Sequence, residues 1–295
     1  MNDPKCKPRG ATVGSAGHVD HGKSTLIEAL TSINPDRLLE EKKRGLTIDL
    51  GFAWFTLPSG RELSIVDVPG HERFIHNMLA GIGGIDAVLL VIAADEGVMP
   101  QTREHLDIIN LLEIKAGVVV LSKIDLVDDD WTNLVADDVR SLLKDTTLSD
   151  APIVRVSVPE QRGLYDLTQT LDTILSVNQH RPETQKAHLP IDRVFTVPGF
   201  GTVVTGTLSG GPLRINDRPT VYPRQRTVRV RNLQTHESAI EIARPGNRVA
   251  VNLGGVNPHE LHRGNVLAEQ GSVIETHRID ARLRMLPTAP RALKA

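Results

Sequence analysis

Gly17-His18-Val19-Asp20-His21-Gly22-Lys23-Ser24 carries the spacing G-x-x-x-x-G-K-[ST]. A strand-like run at 12–16 precedes it, and a helical pattern at 23–31 comes after it, with Pro35 beyond its end. Strand, glycine turn and helix in that order are the context this motif requires. Glycines let backbone N–H groups close on phosphate oxygens, and the helix N-terminus adds positive potential. Lys23 is then placed to reach the outer phosphates, Ser24 to ligate Mg2+, and Thr25 sits beside them. A strand that feeds a helix in this way opens a βα unit, which commits the succeeding strands to a mostly parallel sheet.

The next 150 residues keep that rhythm. Strands are expected at 51–57 and 63–68, joined as a hairpin by Pro58-Ser59-Gly60, then at 87–93, 117–121 and 153–156. Helices are expected at 101–112 behind Pro100, at 131–144 and at 164–175. Asp128, Asp129 and Asp130 lead into the helix at 131, where acids suit the N-terminal dipole. The polar stretch 178–188 reads as a linker. After it come short strands at 191–196, 201–208, 220–222, 227–233, 239–242 and 247–253, parted by Gly- and Pro-rich turns. That pattern predicts a small β-barrel, with Arg229 and Arg231 on the opposite face from Val228 and Val230. A last strand is expected at 279–285, the start of a further β domain. The expected division is a doubly wound α/β P-loop domain at 1–177, the linker at 178–188, the barrel at 189–273, and a severed domain start at 274–295.

Composition narrows the class. One cysteine, Cys6, excludes an internal disulfide framework and any Cys-based zinc site. The longest apolar run, 87–94, is far short of the ~20 residues a membrane helix needs. No apolar leader precedes the first strand, so a reducing cytoplasm is the expected compartment. Charge is uneven: residues 1–187 carry a net −9 and residues 188–295 a net +7. Of the 15 basic residues in the second part, 14 are Arg, whose planar fork matches phosphate geometry. A polyanionic partner for that part and a plain solvated surface both fit the charge.

Two further clusters depend on the first. Asp67-Val68-Pro69-Gly70 ends the strand at 63–68, where a carboxylate can hold the Mg2+ shell. Gly70 lacks the Cβ that would keep its N–H from a γ-phosphate. Ser122-Lys123-Ile124-Asp125 ends the strand at 117–121. Asp125 can accept from N1–H and the 2-amino group of guanine, donors that adenine lacks, while the Lys123 stem can pack on the base plane.

Three motifs in this order resemble the translational GTPases, and within them the selenocysteine-specific branch, SelB. The likeness is carried by 17–24, by 40–53 with Thr47-Ile48-Asp49-Leu50-Gly51-Phe52, by 67–78, by 99–106, and by 191–211 with Gly199-Phe200-Gly201-Thr202-Val203-Val204-Thr205. The resemblance implies GTP and GDP with Mg2+ as ligands, and hydrolysis of GTP to GDP and phosphate. It makes Thr47 a third Mg2+ ligand beside Ser24 and Asp67. It makes His71 the residue that orients the attacking water, with Lys23 and Gly70 at the phosphate and Val19 and Leu46 flanking the route. Two departures stand out. Ser122 replaces the usual Asn, which predicts fewer contacts and weaker guanine binding; Ser157 lies in the later base-contacting loop as Val156-Ser157-Val158.

The same likeness places Asp192, Arg193 and Arg248 around an aminoacyl pocket. A guanidinium there would favour an anionic selenol over serine or cysteine. Implied partners are selenocysteinyl-tRNA, the ribosome as activator, and a selenocysteine-insertion mRNA element read by a C-terminal region absent here. Four rivals stay open: a factor for another aminoacyl-tRNA, a GTPase acting outside translation, a GTP-binding module without delivery, and an ATPase.

Overall fold

The computed structural model describes residues 9–35, 49–69, 85–177, 186–281, 283 and 285. The first part is built on strands β1 (Ala11–Ala16), β2 (Gly51–Thr56), β3 (Glu62–Asp67), β4 (Ala87–Ala93), β5 (Gly117–Ser122) and β6 (Ile153–Arg155). They form one sheet in the order β2-β3-β1-β4-β5-β6. All neighbours are parallel except β2 and β3, which close as an antiparallel hairpin. Between them lie α1 (Lys23–Thr31), α2 (Pro100–Leu111), α3 (Asp129–Leu143) and α4 (Leu164–Val177).

Strand β4 shows why this sheet is covered on both sides. Its side chains alternate between two apolar clusters. Val88, Leu90 and Ile92 pack with Leu106, Ile109, Val135 and Val139 of α2 and α3. Ala87, Leu89 and Val91 pack with Leu26 and Ile27 of α1 and Leu167 and Leu171 of α4. Every β4 residue is therefore buried, which explains its unbroken apolar sequence. Helix α3 starts two residues before the expected 131: Asp128 is its N-cap, accepting from the Trp131 amide at 2.7 Å, and Asp129 and Asp130 occupy the first turn.

The second part is antiparallel. Its strands are β7 (Ala187–Pro190), β8 (Arg193–Val197), β9 (Gly201–Thr207), β10 (Ser209–Gly210), β11 (Leu213–Arg214), β12 (Thr220–Tyr222), β13 (Arg226–Thr227), β14 (Arg229–Thr235), β15 (Ser238–Ile240), β16 (Ile242–Ala243), β17 (Arg248–Gly254) and β18 (Val266–Ala268). Two five-stranded sheets, β10-β7-β18-β12-β13 and β15-β14-β17-β9-β8, enclose Leu189, Val204, Val230, Val251 and Leu267. Val228 and Val230 are buried while Arg229 and Arg231 are exposed, as the alternation requires. The two parts touch along β1 and β3. Thr12 donates its hydroxyl to Gly246 O at 2.9 Å, and Ser64 Oγ lies 2.9 Å from His236 Nε2.

Several expectations need correction. The strand expected at 191–196 begins only at Arg193 as β8; Ile191 and Asp192 are the link from β7, which ends at Pro190 and lies in the other sheet. There the chain turns a corner, with Ile191 N–H donating to Asn265 O and Asp192 N–H to Thr205 O. Ala187 and His188, read as linker, already belong to β7. The single strand expected at 227–233 is divided at Val228, whose N–H leaves the ladder for Pro219 O. No strand forms at Ile279, Asp280, Ala281, Leu283 or Met285. Ile279 and Leu283 stay largely exposed, and no described strand lies beside them to complete a ladder.

Candidate nucleotide site

The loop between β1 and α1 is shaped by backbone geometry that only certain residues allow. Gly17 has φ +131°, and a Cβ there would come within 2.1 Å of Val91 O. Gly22 takes the left-handed N-cap position of α1 at φ +83°, facing open space. Among the described residues no side-chain hydrogen bond caps α1 at Gly22, and a helix N-terminus carries positive potential. Lys23 lies folded against the loop, its Nζ donating to Gly17 O at 3.0 Å and His18 O at 2.6 Å.

The two described residues expected at Mg2+ meet each other. Ser24 Oγ donates to Asp67 Oδ2 at 2.7 Å. Ser15 donates to the other carboxylate oxygen at 2.6 Å and accepts from Val68 N–H at 3.0 Å, which fixes the rotamer of a fully buried Asp67. A hydroxyl and a carboxylate form the hard oxygen set that Mg2+ prefers, so these residues fit that ion. Thr47, Gly70 and His71, together with Leu46, lie outside the described residues.

The base-side residues sit at the end of β5. Lys123 adopts φ +56°, and a short helical turn, Ile124–Leu126, comes next. Asp125 Oδ1 is buried and has no hydrogen-bond partner among the described residues. A desolvated acceptor without a donor costs about 1–3 kcal/mol, and a guanine edge supplies donors of the right kind. Ser122 makes up for its short side chain by donating to His21 O at 2.6 Å, which ties the base loop to the phosphate loop. Lys123 Nζ lies 3.7 Å from Asp95 and 3.6 Å from Glu96. Ser157 is fully buried; its N–H donates to Arg162 O and its Oγ accepts from Glu160 N–H. Any amide offered to a base from this loop would therefore come from a neighbour of Ser157.

Three histidines crowd the loop. The His18 and His21 rings meet edge-on at 5.1 Å. Burial, then the proximity of His18, pushes His21 down to about 4. His105 of α2 is not among the expected site residues. Its Nδ1 accepts from Gly17 N–H at 2.8 Å, and burial followed by nearby Lys23 pushes it down to about 3. Gln101, four residues earlier on the same helix face, accepts from Val19 N–H at 3.2 Å. The i, i+4 spacing behind Pro100 is the signal that could have found the pair.

Asp192, Arg193 and Arg248 also come together, at the seam with β2. Arg248 grips Asp192 with both guanidinium nitrogens, at 2.5 and 2.8 Å, and Thr205 donates to the same carboxylate at 2.7 Å. The Arg248 guanidinium lies 3.4 Å above the Phe52 ring centre, and that of Arg193 at 4.4 Å. Arg193 also donates to Leu50 O and lies 3.6 Å from Asp49. A cavity of about 230 Å³ opens here, lined in part by Phe52, Trp54, Arg193, Thr205, His236 and Arg248. The Arg248 charge is balanced by Asp192.

Residues 9–177 match the family model of the elongation factor Tu GTP binding domain. The chain belongs to that family of translational GTPases. This translational GTPase is 49% identical over 282 residues to the selenocysteine-specific elongation factor of Desulfomicrobium baculatum, covering 96% of this chain and 44% of that protein. The crystal structure of a bacterial selenocysteine-specific elongation factor, EF-Sec, superposes with a TM-score of 0.86 at 38% identity, covering 89% of this chain and 45% of that one. Elongation factor SelB of Methanococcus maripaludis, in complex with the GTP analogue GppNHp, gives 0.80 at 30% identity, covering 90% and 56%. The chain spans less than half the length of the Desulfomicrobium relative. Among the described residues no helix is long and apolar enough to cross a membrane.

Proposed function

We propose that this chain binds GTP with Mg2+, hydrolyses it to GDP and phosphate, and works in the delivery of selenocysteinyl-tRNA to the ribosome in the cytoplasm. The observation that carries the nucleotide reading is the buried Asp125 Oδ1, without a hydrogen-bond partner among the described residues and tied through Ser122 to the loop that holds Lys23. The selenocysteine reading rests on likeness to the selenocysteine-specific relatives. It is supported by the gathering of Asp192, Arg193 and Arg248 at one cavity. We assign residues 1–177 to nucleotide binding, the barrel to 187–273 from the start of β7, the stretch between them to a linker, and 274–295 to the start of a further domain.

In this reading water attacks the γ-phosphorus in line as the bond to the β,γ-bridging oxygen breaks, with that oxygen leaving on GDP. Gly17–Ser24 and the N-terminus of α1 surround the phosphates, and Lys23 offsets their charge. Ser24 and Asp67, with Thr47, would hold Mg2+. That ion would compensate negative charge on the β and γ oxygens. Asp125 selects guanine, and Lys123 covers the base. His71, by its position directly after Asp67-Val68-Pro69-Gly70, orients the water. The exposed Arg229 and Arg231 suit tRNA phosphates, with binding that weakens as salt rises.

The test is phosphate release with and without ribosomes, together with retention of selenocysteinyl-tRNA against seryl-tRNA on the same tRNA body. Stimulated release that His71→Ala abolishes, and preferential retention of the selenocysteinyl form, are expected. Equal retention would remove the selenium assignment and favour another aminoacyl-tRNA. Nucleotide binding without stimulated release would leave a binding module.

A further inference from the structure

We propose that His105 and Gln101 are positioning residues for the phosphate loop, holding it in its binding shape by accepting two of its backbone amides. The proposal rests on the reading of residues 17–24 as the phosphate site and assigns α2 a part in it.

The backbone groups of the loop find their partners one by one. Gly17 N–H goes to His105 Nδ1 and Val19 N–H to Gln101 Oε1. Gly17 O and His18 O go to Lys23 Nζ, and His21 O goes to Ser122 Oγ. Side chains from α1, α2 and β5 thus satisfy the front of the loop before any ligand arrives. The amides of Gly17 and Val19 are engaged, so phosphate must be met by those nearer the start of α1. Gly17 is held from the other side too, because its α-carbon packs on Val91 O with no room for a Cβ.

His105 suits this task and no other apparent one. It is 1% exposed, and no group of three or more His, Cys, Asp or Glu side chains among the described residues could hold a metal. Nδ1 must carry a lone pair to accept from Gly17, so the ring must be neutral with its proton on Nε2. Burial and nearby Lys23 favour that state.

Removing the acceptor leaves Gly17 N–H buried and unpaired. A loop without nucleotide can relax and turn that amide to another partner. Binding must then restore the bound shape, and the relaxation reappears as lost affinity. The expected scale is that of one lost hydrogen bond to a buried donor, about ten-fold.

The experiment compares the wild-type chain with His105→Phe, His105→Asn and Gln101→Leu. It reads dissociation of a fluorescent GDP, thermal stability, and hydrogen exchange at the Gly17 amide in nucleotide-free protein. His105→Phe should release GDP about ten-fold faster and lose protection at Gly17. His105→Asn, whose amide oxygen reaches near the place of Nδ1, should restore both. Gln101→Leu should accelerate release in the same direction and serves as the second probe if His105→Phe does not fold. Faster melting of His105→Phe with unchanged GDP release would make His105 a packing residue and overturn the proposal. Equal Gly17 protection in wild type and His105→Phe would overturn it as well. A wild-type chain that binds no GDP but protects Gly17 would instead refute the nucleotide reading.

Discussion

Acidification from pH 8 to pH 5 should destabilise the first part of the chain through two histidines beside the phosphate loop. His21 and His105 are pushed down to about 4 and about 3, chiefly by burial. An unfolded chain returns each to about 6.5. At pH 5 both rings are neutral when folded and charged when unfolded, so unfolding takes up protons. Stability from a depressed histidine is complete above the unfolded value. It is lost as pH falls through 6.5, and the loss ends near pH 4 for His21 and pH 3 for His105. Linkage over this range gives about 2 kcal/mol for each ring at pH 5, about 4 kcal/mol together. Burial of His188 and His236 acts in the same direction. Most carboxylates stay ionised in both states down to pH 5, so histidines dominate the interval. The assay is urea unfolding at stepped pH, monitored by tryptophan fluorescence. The chain has two tryptophans, Trp54 on β2 and Trp131 on α3, so the signal reports the nucleotide half. Below pH 6 the slope should approach about 1.4 kcal/mol per pH unit for each ring. His105→Asn should remove close to one proton from it. A stability that stays level from pH 7.5 to pH 5 would refute the reasoning.

Other substitutions probe the remaining contacts. Asp125→Asn turns an acceptor into a donor at the guanine edge; GDP affinity should fall about 100-fold or more, and xanthine nucleotides should compete better than guanine ones in a fluorescence displacement assay. Ser122→Ala removes the donor to His21 O and should weaken GDP binding about five-fold by titration. Arg248→Met leaves the buried Asp192 carboxylate without its ion pair, and amide exchange on β8, β9 and β17 should report a barrel weakened by about 3–5 kcal/mol. Adding Asp192→Asn should recover much of that loss; no recovery would mean that packing on Phe52, rather than charge, sets the cost.

The nucleotide half is readable in the sequence because its inner strands are covered on both faces. Ala87–Ala93 and Lys23–Thr31 lie where the apolar run and the helical pattern place them. In the barrel, β10, β11, β13 and β16 have two residues each, too short for alternation to register. β18, between β7 and β12, is three residues whose meaning comes only from partners about 50 and 80 positions away. The site divides in a similar way. Lys23, Ser24 and Asp67 announce themselves by spacing. Ser15 and His105 do not, since their bonds to Asp67 and Gly17 span 52 and 88 residues and depend on the order of strands. Ser122 reads in the sequence as contacts that a shorter side chain forgoes, yet its hydroxyl finds a carbonyl that the sequence does not bring near.

Titration calorimetry of the purified chain with GTP, GDP and ATP in magnesium buffer tests the central claim most directly. Heat of binding with both guanine nucleotides and none with ATP is the predicted result. No heat with GTP or GDP, or ATP binding as tightly as GTP, would contradict it.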